Sequence, residues 1–345
     1  MIMSETTKCP MYEAKDYKSD QYVRWCPGCG DHAVVVTLQK AMAEIGIPPH
    51  QTAVISGIGC SSRLPYYMNT YGFHTIHGRG AAIATGVKTA NPELSVWLAS
   101  GDGDSLAIGG NHFIHAVRRN IDINAVLFNN RIYGLTKGQY SPTSARGFVS
   151  KSSPYGTVED PFIPAELVLG ARGNFFSRAI DVDMKTLQEC FVASARHRGF
   201  AVTEVLVNCV IFNDGTHKNR SHKDIRADRT ITLRHGEKMI FGANRDKGIV
   251  LEGLKLRAVT IGEDGYTLED VLVHDKYEQD VTLHHLLAMM GYTDDSMPIA
   301  LGVIRDVEAP CYDRAVEAQI EEIQQKNPIR KLHDLLIQGD VWEIK

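Results

Sequence analysis

The chain has no apolar run of about eighteen residues, so it offers no membrane-spanning helix. Its first residues, Met1-Ile-Met-Ser-Glu-Thr-Thr-Lys8, carry no signal-peptide pattern, and a cytoplasmic location is the expectation. No basic stripe with interleaved aromatics is present, and the formal charge is -4, which gives no case for nucleic acid. A Walker lysine motif is missing. Gly57-Ile-Gly59-Cys-Ser-Ser62 and Gly78-Arg-Gly80-Ala-Ala-Ile83 each lack the third glycine of a dinucleotide loop. There is no internal repeat or low-complexity tract, and the histidines show no metal-ligand spacing. Cysteine is sparse, with seven in 345 residues, and in a chain of this kind structural disulfides are not expected.

What is present is an ordinary globular composition, 43% hydrophobic and 23% charged, long enough for one large core or two modest ones. The informative stretch runs from residue 101 to 130. The apolar run Leu94 to Ser100 reads as a buried strand ending in the turn Gly101-Asp102-Gly103. A helix is expected over Leu106 to Asn120, then a strand over Ile123 to Phe128 that leads into Asn129-Asn130. Such a unit places both polar clusters at the carboxyl ends of neighbouring parallel strands, where open α/β sheets bind ligands. Asp102 and Asn130 are thereby brought together. One carboxylate, one amide oxygen and a main-chain carbonyl suit Mg²⁺ when diphosphate oxygens complete the shell. Gly103 allows the backbone close to a phosphate, and the following helix turns its amino end to the negative charge.

Strands and helices alternate from residue 30 to 209, which predicts a doubly wound parallel sheet. A polar arm occupies residues 1–25 and contains Cys9. Cys26-Pro-Gly-Cys29 then feeds a helix with apolar positions at Val34, Val35, Leu38, Met42 and Ile45. A short strand, Ala53 to Ser56, ends at Gly57-Ile-Gly59-Cys60, and a small-residue helix spans Ala81 to Ala90. Residues 131–164 lack periodicity and are too long for a plain connection, so a functional loop is expected there. Strand 175–180, helix 184–197 and strand 200–207 follow, the last leading to Asn208-Cys209. Residues 216–345 read as an irregular extension with short helices at 268–274 and 312–325 and one strand at 299–307. Cys26 and Cys29 point two sulfurs at one centre, while Cys60 and Cys209 end strands on the same sheet edge. Four thiolates converging there suit zinc or an iron-sulfur cluster.

Gly-Asp-Gly, twenty-five intervening residues and Asn-Asn resemble the motif of thiamine diphosphate enzymes. Together with CxxC, Gly-Cys-Ser and Asn-Cys-Val at 208–210, they resemble the β subunit of 2-oxoacid:ferredoxin oxidoreductases, over roughly residues 22–215. The resemblance continues loosely through Phe241 to Gly248 and Leu301 to Arg305. It implies a thiamine diphosphate-binding fold over residues 26–215 in which Asp102, Asn130 and the main-chain oxygen of Ile132 hold Mg²⁺. It implies likewise that Cys26, Cys29, Cys60 and Cys209 hold one [4Fe-4S] cluster. Gly101, Gly103, His77 and Arg79 join the cofactor-binding set, and Lys137 on the matching loop is the candidate partner of the 2-oxoacid carboxylate. Only one thiamine-type domain is present, so the activating glutamate is expected from an α subunit. Coenzyme A is the expected co-substrate and ferredoxin the electron acceptor. Leu135 to Thr143 and Asp160 to Glu166 most resemble the 2-oxoglutarate type, with pyruvate and branched-chain 2-oxoacids left open. Two other classes stand beside this one: a non-oxidative thiamine decarboxylase with a zinc Cys₄ site, and a scaffold that binds no cofactor.

Overall fold

The structure, a computed structural model, describes residues 12–326 and 331–344. Cys9 and the first part of the expected arm lie outside them. The regular elements are α1 (Asp31–Ile45), β1 (Thr52–Ser56), β2 (Tyr71–His74), α2 (Gly80–Ala90), β3 (Ser95–Gly101), α3 (Gly110–Arg119) and β4 (Ile123–Asn129). They continue with α4 (Pro164–Gly170), β5 (Phe175–Ile180), α5 (Met184–Arg196), β6 (Phe200–Leu206), α6 (Lys218–Ser221), α7 (Lys223–Arg229) and β7 (Thr230–Leu233). The remainder comprises β8 (Ile240–Phe241), β9 (Lys247–Glu252), β10 (Lys255–Thr260), α8 (Thr282–Met289), β11 (Ile299–Asp306), α9 (Tyr312–Lys326) and α10 (Leu332–Leu336).

An eight-stranded sheet in the order β2-β1-β3-β4-β6-β5-β11-β7 forms the centre. Every pairing is parallel except that of β11 with β5. The central strands are buried on both faces and read as near-continuous apolar runs. Alternation still divides them. Ile55, Leu98, Leu127 and Val202 contribute to the core that also takes Ala84 on α2, Phe113 on α3 and Val168 on α4. Val54, Trp97, Val126 and Phe128 contribute to the core that takes Leu38 on α1 and Phe191 on α5. Helices thus cover both faces.

The fold matches the expected mixed α/β class, with three local departures. First, the expected helix at Leu106 to Asn120 begins with a wide turn over Asp104–Ile108 and becomes regular only from Gly110. Asp104 points back into the sheet edge, and the widened turn accommodates that. Second, the boundary expected at residue 215 does not fall at the edge of the sheet, because β7 and β11 complete it. The strand expected at 299–307 is present as β11, but its charged surroundings over 216–345 gave no sign that it pairs with β5. Third, the helix expected at 268–274 is a single tight turn, Leu268–Asp270, after which the chain extends and bridges Lys238 to Val273. A separate small antiparallel sheet, β10-β9-β8, belongs to this extension.

Candidate active site

Four consecutive strands of the sheet, β1, β3, β4 and β6, run parallel and end on one edge. Their ends deliver, in that spatial order, Cys60, Asp102, Asn130 and Cys209. The chain leaves β1 for the outer strand β2 and returns as β3 on the other side, so β1 and β3 flank the switch point where such sheets open a crevice.

One cavity of about 160 Å³ lies there, lined by Gly59, Gly101, Asp102, Gly103, Asn130 and Ile132 among others. A second, of about 180 Å³, is lined by all four of Cys26, Cys29, Cys60 and Cys209. Cys60, Asn130, Gly134 and Leu135 line both cavities and form the wall between them. A Cβ placed on Gly134 would stand 3.6 Å from the sulfur of Cys60 and 3.6 Å from that of Cys209. The distant cysteines therefore meet, as the strand-end argument requires. Burial pushes the Cys60 thiol up to about 12, with the Asp31 carboxylate and the Cys209 and Cys26 sulfurs adding to the rise. Cys29 is raised for the same first reason. The Cys29 and Cys60 thiols, held protonated by burial, would give up their protons to a positively charged centre. Among the described residues, no three His, Cys, Asp or Glu side chains converge as a single ion would require. Four cysteines around one small cavity still fit an iron-sulfur cluster or a zinc ion.

In the first cavity, Asp102 is 2% exposed. Its Oδ2 accepts from Ser141 Oγ and Thr143 Oγ1, each at 2.5 Å, leaving Oδ1 as the donor for a cation. Burial raises its carboxyl to about 6 against the pull of those two hydroxyls. Asn130 Oδ1 accepts the Ile132 N–H at 3.1 Å, which folds the asparagine turn around the cavity. Asn129 is turned the other way. Its Nδ2 donates to Glu204 at 2.7 Å, and its Oδ1 lies 2.9 Å from Thr143 Oγ1. The oxygen set around Asp102 fits a hard cation, and the wall fits a polar ligand. Asp31, raised to about 7 by burial and then by Asp181, keeps Oδ2 without a partner in that wall.

Gly103 is required for packing. A Cβ there would come within 2.3 Å of the Tyr133 ring, whose hydroxyl donates to the Gly103 carbonyl at 3.0 Å. Gly103→Ala is expected to displace Tyr133 and weaken thiamine diphosphate binding about tenfold or more. Titration calorimetry checks this, and unchanged affinity would show that the ligand does not approach this turn.

His77 lines the cavity, and its Nδ1–H donates to Asp104 Oδ1 at 2.6 Å. Asp104 also accepts from the Gly78 and Ile58 N–H groups and from Ser100 Oγ, so it locks two strand-end loops to the end of β3. Arg79 is not brought in: it is exposed, and its guanidinium meets His112 on α3. Lys137 is also outside the lining. It sits exposed on a left-handed turn (φ 77°) at the rim, one residue past Thr136, which does line the cavity. Asp31, Asp104, Ser141, Thr143 and Glu204 were not singled out in the sequence. Gly-Asp-Gly-Asp-Ser held a second aspartate, and Ser-Pro-Thr-Ser at 141–144 a hydroxyl cluster, but neither spacing says which way a side chain turns.

A model of the thiamine pyrophosphate enzyme C-terminal TPP-binding domain matches residues 57–205. The chain thus carries a domain of the thiamine diphosphate-binding class. The 2-oxoglutarate oxidoreductase subunit KorB of Mycobacterium tuberculosis is 45% identical over 342 residues, covering 98% of this chain and 90% of its own length. The 2-oxoglutarate synthase subunit KorB of Archaeoglobus fulgidus is 45% identical over 185 residues, 54% of this chain and 69% of its own. A solved 2-oxoglutarate:ferredoxin oxidoreductase from Magnetococcus marinus, with 2-oxoglutarate, coenzyme A and succinyl-CoA bound, superposes with a TM-score of 0.77 at 31% identity, covering 97% and 98% of the two chains. The chain belongs to the β-subunit family of 2-oxoglutarate:ferredoxin oxidoreductases, enzymes in which it is one subunit of a complex. No helix among the described residues is long and apolar enough to cross a membrane.

Proposed function

We propose that this chain is the cofactor- and cluster-bearing β subunit of a coenzyme A-dependent 2-oxoglutarate:ferredoxin oxidoreductase. The observation that carries the reading is the pair of cavities sharing the wall of Cys60, Asn130, Gly134 and Leu135. When bound, thiamine diphosphate with Mg²⁺ supplies an electron sink for decarboxylation of a 2-oxoacid, and a [4Fe-4S] cluster takes electrons one at a time toward ferredoxin.

The chain's own part is to hold and to orient. Asp102 Oδ1, the Asn130 amide oxygen and the Ile132 carbonyl are the Mg²⁺ donors, with Ser141 and Thr143 fixing the Asp102 rotamer. Gly101 and Gly103 let the backbone reach the diphosphate, and His77, oriented by Asp104, faces it. Cys26, Cys29, Cys60 and Cys209 hold the cluster. Lys137 at the rim pairs with the carboxylate of the incoming 2-oxoacid, and an α subunit contributes the activating glutamate. Arg79, turned to α3, is left with a contact outside the cavity. The names of the relatives favour 2-oxoglutarate over pyruvate, and comparing the two rates in the reconstituted complex tests that choice.

Anaerobic absorption spectroscopy with iron and sulfide analysis tests the cluster. A colourless protein containing zinc would return the assignment to the non-oxidative class.

Proton competition gives a second expected result. Asp102, raised to about 6, must be unprotonated to take Mg²⁺. Apparent affinity for Mg²⁺ and thiamine diphosphate should therefore be flat above about pH 7. It should fall roughly tenfold per pH unit below 6. The stability of the metal-free protein runs the other way. A carboxyl raised in the fold contributes stability that is complete below its unfolded value near 4 and lost as pH rises through 6. Calorimetric binding and unfolding midpoints between pH 5 and 8 check both signs.

A further inference from the structure

Beside the cysteine cavity, on its outer side, lies a groove of about 410 Å³ lined by Gln21, Tyr22, Arg24, Arg63, Tyr66, Tyr67 and His74. Its ionisable lining is two arginines, one histidine and three tyrosines, with no carboxylate, in a chain whose formal charge is -4. The two arginines belong to both spaces, since Arg24 and Arg63 also border the cysteine cavity. Behind them, Trp25 donates its indole N–H to the Cys60 carbonyl at 2.7 Å and packs edge-to-face on Tyr67 at 4.8 Å. Tyr67 Oη in turn accepts the Arg24 N–H at 2.9 Å. A continuous aromatic contact thus runs from a cysteine of the cavity to the floor of a cationic groove. Tyr22 is 78% exposed with the Arg24 guanidinium 5.5 Å from its ring centre, and Tyr66 is 53% exposed. Exposed aromatics and arginines are the residue types that anchor protein partners.

We propose that this groove docks a small, acidic, one-electron carrier protein, so that the carrier sits against the Trp25–Tyr67 contact. The inference rests on the cluster assignment above and adds the surface through which electrons leave. Electron transfer weakens steeply with distance, so the exit surface must lie next to the cysteine cavity. Charge complementarity selects an acidic partner and steers its approach, which makes the encounter sensitive to salt. Each event moves one electron from the reduced cluster to the oxidised carrier, with no bond made or broken.

The test uses the assembled enzyme carrying Tyr22→Asp, which sets a carboxylate in the groove at a residue that does not border the cysteine cavity, with Tyr22→Ser as the milder change. Two acceptors are compared with 2-oxoglutarate as donor: a purified acidic ferredoxin and methyl viologen, a small cation that needs no docking site. The expected result is a KM for ferredoxin raised ~10-fold or more in Tyr22→Asp, a smaller rise in Tyr22→Ser, a flatter salt dependence in Tyr22→Asp, and a methyl viologen rate within about 2-fold of wild type in both. An unchanged ferredoxin KM overturns the proposal. So does an equal fall with both acceptors, which would mean damage to the cluster, or loss of the α subunit from both variants, which would make the groove a subunit contact. Failure of wild type to reduce methyl viologen would instead defeat the function proposed above and is read separately.

Discussion

Replacing Cys209 with alanine is expected to remove about four iron atoms per chain and the visible absorption with them, and to abolish ferredoxin reduction. Cys209 stands at the end of β6, far in sequence from Cys26 and Cys29, yet it lines the same cavity and lies against Gly134 beside Cys60. A cubane held by three sulfurs in a site that burial makes unfavourable for free thiolates loses both a bond and the charge balance that keeps it in place. Thiamine diphosphate binding should survive within about 2-fold, because Cys209 does not line the cavity of Asp102 and Asn130. Iron analysis, an anaerobic spectrum and calorimetry on one preparation check all three. Unimpaired ferredoxin reduction in Cys209→Ala would remove the cluster from the scheme.

Glu204→Leu is expected to cost about 3–5 kcal/mol of stability, the largest effect on folding among the changes considered. Arg178 and Glu204 are both fully buried on adjacent strands, joined at 2.6 Å. The remaining Arg178 nitrogens donate to the Ala300 carbonyl on β11 and the Ala288 carbonyl on α8. Removing the carboxylate leaves a guanidinium in the centre of the sheet with no counterion, whereas Arg178→Met with Glu204→Leu removes both charges and should recover most of the loss. The same glutamate accepts from Asn129, next to Asn130, so the single variant should also bind thiamine diphosphate more weakly. Urea unfolding of the single and double variants checks the first claim. Equal midpoints for the two would show that charge pairing does not account for the cost.

Much of the site was legible because its chemistry is carried by short motifs at strand ends. Gly-Asp-Gly and Asn-Asn could be paired across a strand-helix-strand unit, and parallel pairing of β3 with β4 puts them side by side. Cys60 and Cys209 were harder, since no local pattern links them to the CxxC turn. The link came from family resemblance and from the rule that strands of one parallel sheet share an edge. Asp104 could not be read, because its role arises from four donors on two separate loops and the end of β3. Ser141 and Thr143 lie in a loop without periodicity, and only its folding back brings them to 2.5 Å from Asp102. Arg79 shows the converse: a glycine-flanked arginine with the right appearance turns to His112 once α2 and α3 pack.

The amino-acid order alone determined which strands are buried, where the polar turns fall and which residue types those turns present, because these follow from periodicity and from neighbours along the chain. Only the tertiary structure decided that β1 and β6 flank the β3–β4 pair, that β7 and β11 complete the sheet, and that the two cavities share a wall. Those facts depend on strand order and on side-chain direction. Both are set by how separated segments bury one another's surfaces, and no local stretch of sequence contains that information.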